Sequence, residues 1–103
     1  MKVIVFGGTG LLGSSIVKKL LDKKIDFRVS SKNKRSLFKS NLLSKNKIIK
    51  FLKKNKPHII INCAGETNVD YCNNNLLNCY KSNVLSVKNI VNCIKELNLK
   101  CFF

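Results

Sequence analysis

The sequence predicts an α/β fold built on a doubly wound parallel sheet, and three observations carry that prediction. Short β-branched runs at residues 2–6, 25–30 and 58–62 alternate with longer stretches of helical spacing. The first run breaks directly into Gly7-Gly8-Thr9-Gly10, and an amphipathic helical pattern starts at once. The resulting order, β-α-β-(β)-α-β-α-β, is the one that right-handed crossovers wind into a parallel sheet.

Taken in order, residues 2–6 read as a fully buried strand, bounded by glycine. Residues 11–23 read as a helix in which Leu12, Ile16, Val17, Leu20 and Leu21 share one face while Lys18, Lys19 and Lys23 point away. A turn leads into a second strand at 25–30. Residues 31–43 fit a loop with one short strand. Ser44 is placed to cap a helix over 45–55 whose inner face is Ile48, Ile49 and Leu52, and Pro57 restricts Lys56 and stops it. Residues 58–62 form a central strand, and 63–75 a polar loop. Helical spacing resumes at Leu76, Leu77, Tyr80 and Val84 and continues through Val87, Ile90, Val91, Ile94 and Leu97, which reads as one long or slightly broken helix of about 20 residues. Residues 99–103 start a last strand.

Length and composition narrow the function classes. The 103 residues make one domain with room for a single core. No apolar run is long enough to span a membrane, and the N-terminus lacks a secretory cleavage pattern, so a cytoplasmic protein is expected. The five cysteines form no CxxC pair and read as reduced packing thiols; with His58 as the single histidine, no metal site is expected. His58 itself reads as packing or surface. Residues 1–56 hold 16 Lys and Arg against 2 acids, whereas residues 57–103 hold 4 against 3. The lysines fall on outer helix faces and Asn is abundant, so the net charge of +15 reads as solvated surface rather than a nucleic-acid interface.

The spacing of Gly7, Gly10 and Gly13 between a strand and a helix points to a dinucleotide cofactor. A pyrophosphate needs backbone it can approach closely, and a helix N-terminus offers it free N–H groups and partial positive charge. Thr9 can add a hydroxyl, and Leu11 and Leu12 place apolar atoms beside the ligand. The alternative is that these glycines only make a tight turn. At the end of the second strand an acid commonly holds the adenosine ribose. Here Ser30, Ser31 and Lys32 stand there, with Lys34 and Arg35 close behind. Cations suit a 2′-phosphate, which leans the choice between NADP(H) and NAD(H) towards NADP(H); the alternative is that these lysines are more basic surface.

The stretch "KPHIIINCAGETNVDYCNNN…YKSNVLSVKNIV" resembles the extended short-chain dehydrogenase/reductase superfamily, and within it the dTDP-4-dehydrorhamnose reductase-like family. The matching positions are Pro57-His58, Asn62-Cys63-Ala64, Thr67-Asn68-Val69-Asp70 and Asn83-Val84, together with the "GGTGLLG" start. The resemblance implies a Rossmann-like sheet, the N-terminal and incomplete part of such a domain. It implies pyrophosphate contacts at Gly7, Gly10, Leu11 and Leu12, and an adenine contact at Asn41-Leu42, where the family has an acid in place of Asn. It also implies that Cys63, Ala64 and Gly65 line the middle of the cofactor, that Thr67 lies on the nicotinamide side and that Asn83 braces the site. Bland readings stand beside these. Asn62 ties down a strand end, Thr67 or Asp70 caps a helix, and Asn83 bonds to a neighbouring loop.

The family reduces a keto-sugar with a Tyr-x-x-x-Lys pair. Position 75 after Tyr71 is Asn, and position 84 after Tyr80 is Val, so neither tyrosine makes the pair. The expectation is therefore a cofactor-binding portion, residues 1–103, truncated before the catalytic pair and the substrate region. It carries no catalytic residue of its own and is inactive alone. A nucleotide-sugar substrate would be met only in a complete chain, with a homo-oligomer or a complementing C-terminal half as possible partners. A sugar-nucleotide epimerase/dehydratase fragment and a non-catalytic regulatory subunit are the rival readings.

Overall fold

The computed structural model describes residues 1–31 and 41–103. Three parallel strands, β1 (Lys2–Phe6), β2 (Asp26–Ser30) and β3 (Ile59–Asn62), lie in the order β2-β1-β3, with Val3 paired to Phe27 on one side and Ile59 on the other. The central β1 is buried from Val3 to Phe6, because helices cover both faces. Helix α1 (Leu11–Asp22) crosses from β1 to β2. Helix α2 (Lys45–Asn55) packs on α5 (Ser86–Glu96), and their Ile48, Leu52, Ile90 and Cys93 meet Ile4, Phe6 and Ile60 in one core. The alternation of a strand sends Val3 and Val5 to the opposite, α1-bearing face. This is the doubly wound, Rossmann-like sheet that the alternating runs predict.

Local chemistry sets the boundaries. The Ser44 hydroxyl accepts from the Lys47 N–H at 3.4 Å and starts α2 as predicted. Lys56 ends it in the left-handed region, φ 45°, with its N–H on the Leu52 carbonyl at 2.8 Å. Pro57 excludes a further helical residue, and the chain takes an αL cap rather than the extended form usual before proline. His58 lies at the N-terminal edge of the sheet, where its Nδ1 accepts from the Lys2 N–H at 3.0 Å. That is a surface contact of an exposed side chain, at the end opposite the glycine turn.

The structure differs from the expectations in five places. Residues 63–75 are not all loop: Asn68 accepts from the Tyr71 N–H at 2.9 Å and caps a short helix α3, Val69–Asn74, so neither Thr67 nor Asp70 is its cap. The predicted last strand is a single parallel bridge, Phe102 to Ile59. Leu12 and Leu21 are exposed, not on the buried face of α1, where Gly13 makes the closest approach instead. The long helix is slightly broken, one of the two forms expected, into α4 (Leu76–Tyr80), a π-helical segment (Lys81–Leu85) and α5 in series, but its apolar residues do not share one buried face. A π-turn inserts a residue and rotates the helix beyond it, so Leu76, Leu77, Tyr80 and Val84 stay exposed while Ile90 and Cys93 reach the core. Finally, Cys72 and Cys79 form a disulfide across the α3–α4 turn, so only Cys63, Cys93 and Cys101 are free thiols. The two cysteines sit 7 positions apart on consecutive short helices, a distance that no CxxC search covers. The short strand expected within 31–43 falls largely on residues outside the described ones.

Candidate functional site

The site is built from the C-terminal ends of β1 and β3. The chain leaves β1 towards β2 on one side, and β3 arrives on the other, so a crevice opens between them. Gly7 turns the backbone there at φ 73°, and a Cβ on it would lie 2.5 Å from the Ala64 nitrogen. Only glycine lets the two strand ends meet this closely. The Gly7 N–H donates to the Ser30 carbonyl at 2.7 Å, which fixes the turn against β2. Gly13, one turn into α1, packs against the Gly7 carbonyl, and a Cβ there would come within 2.8 Å of the Gly8 Cα. The helix is thereby drawn onto the turn.

Gly10 caps α1 with extended backbone and no side-chain hydrogen bond, and the first turn of α1 holds no acid. Its leading N–H groups and their partial positive charge have no side-chain counterpart, which is the arrangement that receives a phosphate. A cavity of about 650 Å³ opens beside it. Gly7, Thr9 and Gly10 form its floor, Ser31, Asn41 and Leu42 one end, and Cys63, Ala64 and Gly65 the opposite wall.

Several predicted site residues stand off this cavity. Leu11 and Leu12 are exposed at the start of α1, Gly13 and Ser30 lie behind the turn, and Thr67 is exposed on the loop. Lys32 and Arg35 lie outside the described residues. Asn83 is behind the wall: its Oδ1 accepts from the Glu66 N–H at 2.7 Å and its Nδ2 donates to the Glu66 carbonyl at 2.9 Å. Asn62 ties its strand end, accepting from the Ala64 N–H at 3.1 Å. Asn41 accepts from the Leu43 N–H at 3.1 Å, and Leu42 serves both wall and core.

The sequence reading missed other wall residues. Leu43 and Lys47 continue the Asn41 end, while Glu66, Lys81, Ser82 and Ser86 close the side below Asn83. Lys81 and Ser82 reach the cavity from the first turn of the π-helical segment, which single-residue spacing does not signal. Buried Asn89 was also missed; its Nδ2 donates to the Leu42 carbonyl at 3.0 Å and holds the 41–44 turn in place. Its signal was available as a lone Asn within an apolar stripe. Burial pushes the Cys63 thiol above its ordinary pKa, so it lines the cavity as a neutral group. Among the described residues no group of three or more His, Cys, Asp or Glu is placed to hold a metal, and no helix is long and apolar enough to cross a membrane.

Residues 3–103 match the family described as NAD dependent epimerase/dehydratase. The chain belongs to that family. The chain is 30% identical, over 99 residues, to a GDP-6-deoxy-D-talose 4-dehydrogenase of Aggregatibacter actinomycetemcomitans, which covers 96% of this chain and 32% of that protein. Its fold is that of a Thermus thermophilus UDP-glucose 4-epimerase in complex with NAD, with a TM-score of 0.86 at 21% identity, over 96% of this chain and 35% of that one. It is likewise that of a Bacillus anthracis dTDP-4-dehydrorhamnose reductase in complex with NADP, with a TM-score of 0.81 at 23% identity, over 94% and 33%. The chain thus spans about a third of the length of these relatives. Membership of the epimerase/dehydratase family agrees with the extended dehydrogenase/reductase resemblance and with an NAD-type cofactor. The glycine cradle fits such a cofactor, because Gly10 puts no side chain between the cavity and the α1 terminus, a Cβ there meeting nothing nearer than the Gly7 carbonyl at 3.5 Å, and that terminus is left for an anion.

Proposed function

We propose that the chain is the NAD(P)H-binding portion of a dTDP-4-dehydrorhamnose reductase-like oxidoreductase, one that reduces a nucleotide-linked keto-sugar. The observation that carries this reading is the cavity at the switch point, floored by a positive-φ glycine turn over an uncapped helix N-terminus. Gly7, Thr9, Gly10 and the α1 terminus would hold the pyrophosphate. Ser31, Asn41 and Leu42 would take the adenosine, and Cys63, Ala64 and Gly65 the middle of the cofactor. The bound nicotinamide supplies the hydride. The chain's own residues orient it and exclude water along the apolar wall. NADPH is the preferred coenzyme, because β2 ends in serines rather than an acid and Lys47 and Lys81 face the same cavity without an ion pair among the described residues.

These 103 residues contain no Tyr-x-x-x-Lys, so the proposed behaviour is binding without turnover. The relative at 30% identity is a dehydrogenase, which supports the oxidoreductase reading over an epimerase one. Calorimetric titration with NADPH and NADH tests the binding, and nicotinamide absorbance with a dTDP-keto-sugar tests the chemistry. Saturable binding with NADPH ahead of NADH and no absorbance change is the expected result. Turnover by this chain would overturn the inactive reading, and no binding of either coenzyme would overturn the function.

A further inference from the structure

One side of the cavity is the edge of a closed ring of chain. It runs from Glu66 through the first half of α3 to the Cys72–Cys79 disulfide and back through Tyr80, Lys81 and Ser82 to Asn83, whose amide holds Glu66. Two hydrogen bonds close it on one side and one covalent bond on the other. Glu66, Lys81 and Ser82 of this ring line the cavity.

The covalent closure matters because little else holds α3. The helix has six residues and buries none of them. Val69 is 70% exposed, and the one side-chain bond across to α4 is a 3.4 Å contact between Asn78 and the Tyr71 hydroxyl. A helix this short has no stability of its own in water. Its position therefore depends on the Cys72–Cys79 bond and on the loop at Glu66.

We propose that Cys72 and Cys79 are a reversible thiol–disulfide modification site that sets the affinity of the adjoining cavity for its dinucleotide; this rests on the dinucleotide reading above. Opening requires a dithiol reductant. Its thiolate attacks the Cys72 sulfur, since Cys79 is only 7% exposed. The S–S bond breaks, and Cys79 leaves as a thiolate and takes a proton. The second thiol of the reductant then displaces Cys72 and leaves as the reductant's disulfide, so two electrons and two protons pass to the pair. Closing requires a two-electron oxidant such as hydrogen peroxide. The Cys72 thiolate takes one peroxide oxygen as a sulfenic acid, with loss of water, and the Cys79 thiol displaces that oxygen as a second water. With the bond open, α3 leaves α4, the Glu66 side of the rim loosens, and the dinucleotide must order it on binding.

The test uses the 103-residue chain, treated either with peroxide or with dithiothreitol and then freed of reagent. The treated forms should titrate as three and five thiols respectively. NADPH should bind the disulfide form more tightly by on the order of fivefold, the lower end of ordinary coupling between linked sites. Cys72→Ser should bind with the affinity of the reduced form under both treatments. Linkage is reciprocal, so saturating NADPH should shift the dithiol–disulfide equilibrium against dithiothreitol by the same factor, about 21 mV for fivefold. Amide exchange over residues 66–75 should rise on reduction with no ligand present. Equal NADPH affinity in both forms, or five thiols after peroxide, overturns the proposal. Absence of NADPH binding in both forms, with the exchange difference intact, overturns the dinucleotide reading and removes this site's ligand with it.

Discussion

The Asn83 amide gives both its ends to one residue 17 positions away, accepting from the Glu66 N–H and donating to the Glu66 carbonyl. Asn83→Ala removes both bonds and leaves a wall-forming loop to water. The expected cost is about 1–2 kcal/mol of stability, from two ordinary hydrogen bonds, with weaker NADPH binding, read by urea unfolding and by titration. Unchanged stability would show that the loop at Glu66 is held by something else. The free thiols behave differently. Burial raises the pKa of Cys63, Cys93 and Cys101, with Glu96 adding to and Lys45 offsetting the effect at Cys93. A folded pKa above the unfolded one favours the protonated thiol in the native state. That stability is complete below the ordinary thiol pKa of about 8.5 and is lost as pH rises through the folded values. Unfolding midpoints should therefore fall on the alkaline side, and iodoacetamide at neutral pH should label Cys63 more slowly than an exposed cysteine. Rapid labelling of Cys63 in the native chain would contradict its placement in the wall.

At the scale of elements, α2 shows a conflict that the cavity explains. It begins Lys45-Asn46-Lys47 with no acid in its first turn, so two cations sit at the positive end of the helix. Lys45 has Glu96 at 3.4 Å, whereas Lys47 faces the cavity. Lys47→Glu should stabilise the folded chain by about 0.3–1 kcal/mol through the helix dipole. The same change should weaken NADPH binding, because it sets a carboxylate beside a phosphate site. A thermal melt and a titration on one variant check both signs, and tighter NADPH binding would place the phosphates elsewhere. Legibility in the sequence also divides by element. The β-branched runs, the Gly7–Gly13 turn and the Ser44 cap are local signals, and the strands and helices they mark stand where they were expected. The outward face of Leu76, Leu77, Tyr80 and Val84 was not legible, because it depends on a π-turn that no propensity encodes. The Cys72–Cys79 bond depends on how two short helices pack. Gly7, Thr9, Gly10, Cys63, Ala64 and Gly65 line the cavity from the strand ends where their local signals lie, whereas Leu11, Leu12, Gly13 and Thr67, just as near in sequence, stand off it; Lys47, Lys81 and Ser86 are brought in by crossovers and carry no local signal.

For the molecule as a whole, charge is the dominant imbalance. Twenty Lys and Arg stand against five acidic side chains, so one-to-one pairing with them would serve only a quarter of the cations. Among the described residues the ion pairs are Arg28–Asp26 and Lys45–Glu96, both on exposed side chains. So large an excess of positive charge repels itself, more strongly in the compact chain than in the unfolded one. The Debye length falls from about 30 Å at 0.01 M salt to about 8 Å at 0.15 M, so salt should relieve that repulsion. The melting temperature should rise over this range. The same screening acts on the attraction between a cationic cavity and an anionic dinucleotide, so NADPH affinity should fall as stability rises. Nucleic acid drawn by the net charge alone should dissociate as salt rises to about 0.2 M, because non-specific binding weakens steeply with salt. Melting curves, NADPH titrations and a DNA gel shift across one salt series separate these effects. A melting temperature that falls with salt would mean the positive charges are already neutralised by structure, and a DNA complex that survives would return the charge to a recognition role.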